Sequence, residues 1–322
     1  MNVEGANILV TGGCGLIGST TIDQLLRDKP AKIVIFDNLV RGSMANVTEI
    51  LRDKRVELVK GDIRDAAHVR KVTEGMDAVI HMAALRITAC AAEPREAHEV
   101  MCDGAFNVVE AAHLAGVKKI VAASSASIYG MADSFPTTEK DHPYNNRTWY
   151  GAAKVMLEGL LRSFNDMYGT DYVAFRYFNV YGPRMDIHGK YTEVLIRWME
   201  RIEAGQPPLI LGDGKTSMDF CYIDDIARAN VLGLKSDVSD EVFNVASGVE
   251  TDLNELAETL MRVMGRKLTP EYGPERKVNA VPRRLASTEK AERLLGFKAE
   301  VGLEEGLERL VKWWRVNRER VL

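Results

Sequence analysis

The chain has 322 residues, 27% of them charged and 46% hydrophobic, the composition of an ordinary globular protein. Acidic residues exceed basic ones by 46 to 42, for a net charge of -4, which excludes the basic footprint of a nucleic-acid binder and the polybasic run of a lipid-surface binder. No stretch approaches the roughly 20 apolar residues of a membrane span, and Met1–Gly5 lacks the regions of a secretory signal, so the expectation is no nucleic acid, no membrane and a cytoplasmic location.

Asn7–Val10 reads as a buried strand, followed by a glycine-rich turn and a helix from about Ser19 to Arg27. Lys32–Phe36, Val56–Lys60, Ala78–His81, Lys119–Ala123 and Tyr172–Tyr177 continue the strands. Helical stretches lie between them, notably Ala66–Thr73, Ala97–Ala115 and Trp149–Met167. Short strands alternating with helices predict an α/β fold, a doubly wound parallel sheet of Rossmann type. After Gly182-Pro183 the rhythm becomes irregular. Glu193–Ala204 is helical, Pro207–Leu211 is a short strand, and Asp252–Met264 and Leu303–Asn317 are amphipathic helices. Cys221–Ile223 and Val242–Val245 are expected to return to the main sheet. The organisation is therefore a sheet domain over 1–178 with return segments in 221–247. A smaller C-terminal substrate lobe takes 179–220 and 248–322. Cys14, Cys90, Cys102 and Cys221 are scattered, with no CxxC, and read as free thiols. No histidine pair has metal-ligand spacing, so no metal is expected.

The turn is Thr11-Gly12-Gly13-Cys14-Gly15-Leu16-Ile17-Gly18. Gly12 lets the chain turn tightly, Gly15 lets backbone approach a pyrophosphate, and Gly18 lets the helix pack close to the strand. The helix that follows points free N–H groups at the phosphates. Asp37 ends the second strand, 19 residues after Gly18. Its carboxylate suits a ribose 2′-hydroxyl and repels a 2′-phosphate, which selects NAD over NADP. Asp62-Ile63 ends the third strand, where the acid either accepts from the adenine amino group or caps the Ala66 helix.

Tyr150 and Lys154 stand four apart, on one helix face. A free phenol has a pKa of about 10, too high for a base at neutral pH. An adjacent ammonium and a pyridinium ring both favour phenolate, so the Tyr150 pKa is expected to fall. The fifth strand ends in Ser124-Ser125-Ala126-Ser127, where doubly wound folds bind ligands. Ser125 is placed to share the proton that Tyr150 handles.

The glycine turn, Asp37-Asn38-Leu39, Asp62-Ile63, His81-Met82-Ala83-Ala84, Ser125, Tyr150/Lys154 and Arg176-Tyr177-Phe178-Asn179 occur in this order. As a set they resemble the extended short-chain dehydrogenase/reductase family. Within it the chain is most similar to the UDP-galactose (UDP-glucose) 4-epimerases and related NAD-dependent nucleotide-sugar epimerases. The likeness runs to Leu295-Gly296-Phe297. It implies an epimerase that binds NAD and a UDP-sugar, oxidises carbon 4 to a ketone, and returns the hydride to the other face after the sugar rotates. By this resemblance Tyr150 is the base, Ser125 its hydrogen-bonding partner, and Lys154 lowers the phenol pKa and holds the nicotinamide ribose. The NAD lining would comprise Gly12, Gly15, Leu16, Ile17, Gly18, Asp37, Asn38, Leu39, Arg41 and Gly42. Asp62, Ile63, Met82, Ala83, Ala84, Arg86, Met101 and Phe178 would complete it, with Arg86 where a lysine is frequent. Asn179 would contact the sugar diphosphate.

Two departures stand out. Met101 replaces an asparagine frequent in the family, and Met218 replaces an arginine that grips the diphosphate. By alignment Lys277, with Arg276, falls where relatives place another diphosphate arginine, and is the expected substitute unless it is a solvated basic turn. Arg184 and Arg284 align with the sugar end of the pocket, where each either binds a uronate carboxylate or caps the lobe. The same resemblance implies a homodimer through the helices Ala97–Ala115 and Trp149–Met167. Dehydratases and decarboxylases of the superfamily need a carboxylate just after the hydroxyl residue, where this chain has Ala126 and Ser127. A non-catalytic NAD-binding regulator is the alternative of another class, opposed by the complete Ser125, Tyr150 and Lys154 set.

Overall fold

Strands that alternate polar and apolar residues leave one face wet, whereas continuous apolar runs need cover on both faces. The first six strands are β1 Asn7–Thr11, β2 Lys32–Asp37, β3 Val56–Lys60, β4 Ala78–His81, β5 Lys119–Ser125 and β6 Tyr172–Tyr177. All but β3, which lies at the sheet edge, are buried nearly throughout. They are completed by β7 Asn179–Tyr181, β8 Leu209–Leu211, β9 Ser217–Tyr222, β10 Glu241–Val245, β11 Glu250–Asp252 and β12 Glu271–Gly273. The structure, a computed structural model, describes residues 1–187, 193–275 and 281–319. Lys277 and Arg276 lie outside the described residues.

The main sheet has seven strands in the order β10-β6-β5-β4-β1-β2-β3, parallel throughout. The chain winds outward from β1 through β2 to β3, then restarts beside β1 with β4. The winding therefore reverses between β1 and β4, where Thr11 is the register partner of His81. A crevice opens at the carboxyl ends of strands where winding reverses, and the glycine turn and the Met82–Arg86 segment both leave from it.

The expected return of Val242–Val245 to this sheet is met by β10, which pairs with β6. The same expectation for Cys221–Ile223 is corrected. Cys221 lies in β9, which pairs with β7 and β11 in a separate three-stranded sheet, and Ile223 opens the helix Ile223–Lys235. That helix covers the main sheet and is itself the crossover that brings β10 in beside β6, so the sheet edge is already filled. It is joined to the helix Leu16–Leu25 by Gln24 Nε2 donating to Asp224 O at 2.9 Å and Asn230 Nδ2 donating to Thr21 Oγ1 at 3.0 Å.

The Ala97–Ala115 helix is broken up. Pro94–His98 and Ala105–Leu114 are α-helical, and Glu99–Gly104 between them is a π-turn. The remaining residues build small sheets, β7-β9-β11 and β8-β12, under the amphipathic helices Leu253–Val263 and Leu303–Asn317. Leu256, Leu260, Leu307, Leu310 and Trp314 bury the apolar stripes of these two helices. All four cysteines are free and buried. Among the described residues no helix is long and apolar enough to cross a membrane.

Candidate active site

The site begins at the crevice. Gly12 takes φ +69, and a Cβ there would meet Ala83 N at 2.6 Å. Only glycine gives both the left-handed turn and this close approach. A Cβ at Gly18 would meet Gly12 O at 2.5 Å, so the helix packs directly on the turn, whereas at Gly15 the nearest atom is Gly12 O at 3.3 Å. The turn therefore leaves its open side at Gly15. Gly15 is the N-cap of the helix Leu16–Leu25 and offers no side-chain cap. The first N–H groups of that helix, at Leu16 and Ile17, are available to an anion. These features fit a dinucleotide pyrophosphate.

Asp37 is buried at 8% exposure, and its orientation is set by backbone: Oδ2 accepts from Cys14 N at 3.0 Å and Oδ1 from Leu39 N at 2.8 Å. Leu39 adopts φ +62 to donate that bond. Gly42 closes the loop against both carboxylate oxygens, where a Cβ would lie 2.9 Å from each. The carboxylate thus stands at the end of β2, where its negative charge opposes a 2′-phosphate.

Asp62 is not the helix cap. Asp65 caps Ala66–Thr73, its carboxylate accepting from His68 N. Asp62 is held instead by Arg64 (Nε 3.0 Å, Nη2 2.8 Å) and by Asn38 Nδ2 at 3.0 Å. Hydrogen bonding to Arg64 keeps its pKa well below the usual carboxylate range. Asp62 and Asn38 thereby join the ends of β2 and β3 at one rim of the crevice. Ile63 packs against Gly104 of the π-turn.

The Met82–Arg86 segment forms the opposite wall. Ala83 N donates to Thr11 Oγ1 at 3.4 Å, and Thr11 Oγ1 is bonded to His81 Nδ1 at 2.8 Å. Burial pushes the His81 pKa down to about 3, so this ring is neutral. Ala84 packs beside Tyr150 in the cluster around Cys90 and Met101. Met101 lies beneath the segment, and its Sδ accepts from Leu85 N at 3.2 Å. The thioether is thus the acceptor for this backbone N–H. Arg86 reaches across to Asp186 (3.7 Å) and Glu193 (3.6 Å). Arg41, on the facing loop, is close enough for its charge to act on both Arg86 and Tyr150.

Thr148 starts the helix Trp149–Tyr168 by accepting from Gly151 N, which puts Tyr150 in its first turn and Lys154 one turn later. The Ser125 hydroxyl lies close enough to the Tyr150 phenol to favour its phenolate, and its Oγ accepts from Ser127 N at 3.1 Å. Lys154 is 3% exposed, its Nζ lies 5.8 Å from the centre of the Tyr150 ring, and it donates to Ala123 O at 2.5 Å. Burial lowers the Lys154 pKa to about 8. The expected fall in the Tyr150 pKa is corrected for the polypeptide alone: burial raises it, outweighing the nearby Ser125 hydroxyl and the charges of Arg41 and Arg284. Sequence spacing reveals the neighbouring cation but not the desolvation that opposes it.

On the substrate side, Asn179 Nδ2 donates to Asp219 O at 3.1 Å and Met218 is half-buried on the same strand. Phe178 is buried with Ala126, Tyr129, Ala246 and Ala286. Arg284 approaches closely enough for its charge to favour a Tyr150 phenolate. Arg184 turns away from the tyrosine to Asp23, on the helix Leu16–Leu25, at 2.7 Å. Sequence reasoning missed Asp219, a fully buried carboxylate that accepts from Ser247 N (2.8 Å), Ser247 Oγ (2.6 Å), Gly248 N (3.0 Å) and Ala286 N (3.4 Å). It fixes the segment that carries Arg284. It also missed Glu158, whose one signal is its place four residues after Lys154.

The model of the NAD dependent epimerase/dehydratase family matches residues 8–246. The chain is 36% identical over 310 residues to the UDP-glucose 4-epimerase of Mycolicibacterium smegmatis, spanning 95% of this chain and 98% of that one. Among solved structures, a UDP-N-acetylglucosamine 4-epimerase from Methanobrevibacter ruminantium M1, in complex with UDP-N-acetylmuramic acid, superposes with a TM-score of 0.92 at 34% identity, covering 98% of this chain and 99% of that one. A dTDP-glucose 4,6-dehydratase from Streptomyces venezuelae with NAD bound superposes with a TM-score of 0.89 at 30% identity, covering 97% and 98%.

Proposed function

The chain belongs to the NAD-dependent epimerase/dehydratase family, and from that premise we propose that it inverts carbon 4 of a UDP-linked hexose through a transient 4-keto sugar. The observation that carries this reading is the buried Lys154, its Nζ 5.8 Å from the centre of the Tyr150 ring, with the Ser125 hydroxyl near the same phenol and Ala126 and Ser127 in place of any carboxylate after Ser125. When bound along the glycine turn and Asp37, NAD would supply the hydride acceptor and donor for carbon 4. Tyr150 takes the proton of the carbon 4 hydroxyl and gives it back. Ser125 shares that proton and orients the hydroxyl. Lys154, Arg41 and Arg284 favour the phenolate by their charge. Elimination or decarboxylation would need a further carboxylic acid or base, which Ala126 and Ser127 do not supply.

Inversion requires the keto-sugar to turn over, so the molecule must be held by its nucleotide end. Two phosphates bring roughly two negative charges that need cationic or N–H partners as water leaves. Met218 supplies none, and in this reading Asn179 and Lys277 take that role. Lys277→Ala should then raise KM for the nucleotide sugar far more than it alters NAD retention. The charge of Arg284 at the tyrosine supports a contact with the sugar, and the Asp23 partner of Arg184 supports a structural role for that residue.

A homodimer and a cytoplasmic location belong to the same reading. The helices Ala105–Leu114 and Trp149–Tyr168 expose Phe106, Trp149 and Met167 at 42%, 39% and 65%, apolar area that a second copy would cover. Light scattering of a monomer at micromolar concentration would refute the dimer.

The test of function is incubation with UDP-glucose, UDP-N-acetylglucosamine and UDP-glucuronate, followed by chromatography for the 4-epimer of each. Conversion of at least one is expected. A 4-keto-6-deoxy product, a decarboxylated pentose or no turnover of any would overturn the reading.

A further inference from the structure

Tyr150, Lys154 and Glu158 follow one another at intervals of four along a single helix, which stacks them on one face. Glu158 and Arg176 are almost withdrawn from water, at 12% and 9% side-chain exposure. A buried pair of charges is strongly unfavourable unless the geometry is good and the remaining donors are met. Here Arg176 grips the carboxylate with two bonds, Nε to Oε1 at 2.9 Å and Nη2 to Oε2 at 2.7 Å. Ser124 Oγ donates to the same Oε1. The guanidinium completes its set by donating from Nη1 to Tyr129 OH at 2.8 Å and to Glu139 O at 3.0 Å.

The parts of this cluster come from the elements that carry the catalytic groups. Glu158 is on the helix of Tyr150 and Lys154. Ser124 is the residue before Ser125 on β5, and Arg176 is its register partner on β6. Asn244, the register partner of Arg176 on β10, accepts from Tyr129 OH at 2.7 Å. The carboxylate thus ties the base-bearing helix to the strand end that presents Ser125. It is also the anion that faces the Lys154 ammonium along the helix.

We infer that Glu158, locked by Arg176 and Ser124, is a positioning residue: it sets the Tyr150 helix against the Ser125 strand and presents a carboxylate one helical turn from the Lys154 ammonium beside the phenol. The inference rests on the proposed roles of Tyr150 and Lys154. Other groups act on the same centre. Cys90 faces both Lys154 and Tyr150, neutral His81 faces Lys154, and Arg41, Arg284 and Tyr177 face Tyr150. On its outer side Glu158 also feels Arg162 and Tyr129. None of these except Glu158 supplies a fixed carboxylate near Lys154. The Cys90 thiol is itself pushed up to about 11 and stays neutral.

The discriminating experiment is an ultraviolet titration of the NAD-saturated protein at the tyrosinate band, as the difference between each protein and its own Tyr150→Phe partner. That difference isolates the Tyr150 phenol and needs no substrate. Glu158→Gln keeps the shape and loses the charge. Lys154 then gives up its proton at lower pH, and the phenolate midpoint should rise. Ser124→Ala removes a bond without a charge and should leave the midpoint in place while lowering kcat. Glu158→Asp should restore the midpoint in part. In turnover, the alkaline limb of kcat should move to lower pH in Glu158→Gln, with KM for the UDP-sugar little changed. A Glu158→Gln protein that is folded and retains NAD, yet titrates like the parent, would overturn the inference. If Glu158→Gln does not fold, an unshifted Ser124→Ala midpoint with parental kcat does so. A failure of every UDP-sugar to turn over would count against the proposed function and leave the titration result standing.

Discussion

The crevice above β1 and β4 and the lobe around β9 flank the candidate site, but they are held by different means. At the crevice the backbone does most of the shaping. Gly12 and Gly18 let the turn, the helix and Ala83 meet within 2.6 Å of where side chains would begin, and the strands beneath are apolar on both faces. In the lobe the sheets have only two or three strands each, and their segments are joined by buried carboxylates. Asp219 gathers Ser247, Gly248 and Ala286. Asp225, 1% exposed, accepts from Glu300 N (3.0 Å) and Val301 N (3.1 Å). A long parallel sheet can be specified by apolar pattern, whereas short strands bury too little and depend on a few polar clamps.

The largest test acts where the two regions meet. Tyr150→Phe should retain NAD and lose turnover by about 10²–10⁴-fold, the range of general base catalysis. Near-parental turnover of whichever UDP-sugar the enzyme accepts would show that another group is the base.

Next, Asp219→Ala leaves several buried N–H groups without an acceptor and should destabilise the protein by about 2–4 kcal/mol. Gly12→Ala, which forces a Cβ into Ala83, should cost about 1–3 kcal/mol. The two differ in what they release. Gly12→Ala should lose NAD, while Asp219→Ala should keep NAD and raise KM for the nucleotide sugar through Arg284. Denaturant unfolding and cofactor extraction together measure this, and equal loss of NAD in both variants would erase the distinction.

Acidification should separate the same two regions by sign. Asp62 has a folded pKa depressed by Arg64, so its contribution is complete above the unfolded value of about 3.9 and is lost as pH falls further. Asp219 has a folded pKa raised by burial, so the folded state binds its proton more readily and this group stabilises folding as pH falls through that value towards the unfolded one. Unfolding curves should show Arg64→Ala flattening the acid loss of stability and Asp219→Asn steepening it. The same pH slope in both variants would contradict this. The smallest effect is at Met101. Leucine fills the volume but leaves Leu85 N without its acceptor, which should weaken NAD binding by a few-fold, under about 1.5 kcal/mol. Unchanged NAD affinity in Met101→Leu would show that the sulfur only packs.

Much of the crevice is legible in the residue order alone. The glycine spacing, Asp37, Ser125 and the Tyr150/Lys154 pair are local patterns, and local patterns carry backbone conformation and helix-face geometry directly. Two readings went astray and a third lost one of its alternatives, all for one reason. Cys221 has the strand character of a sheet member, but whether it joins β6 depends on β10 arriving through the helix Ile223–Lys235. Asp62 and Asp65 both precede the Ala66 helix, and only the chain path shows that Asp65 caps it while Arg64 claims Asp62. Tyr150 has its cation in the sequence, yet the residues it packs with, Cys90, Ala97 and Met101 among them, come from distant segments.

What the residue order alone settles here is whatever depends on neighbours within a turn or a strand: the α/β alternation, the glycine turn, the acid at the end of β2, and the stacking of Tyr150 on Lys154. The arrangement of Glu158 with Arg176 and Ser124, the clamp at Asp219, the Arg184–Asp23 pair and the charge of Arg284 at the phenol were decided only on folding. Each joins groups from separate segments, and desolvation and hydrogen bonding between such groups take effect only once packing has removed water from around them.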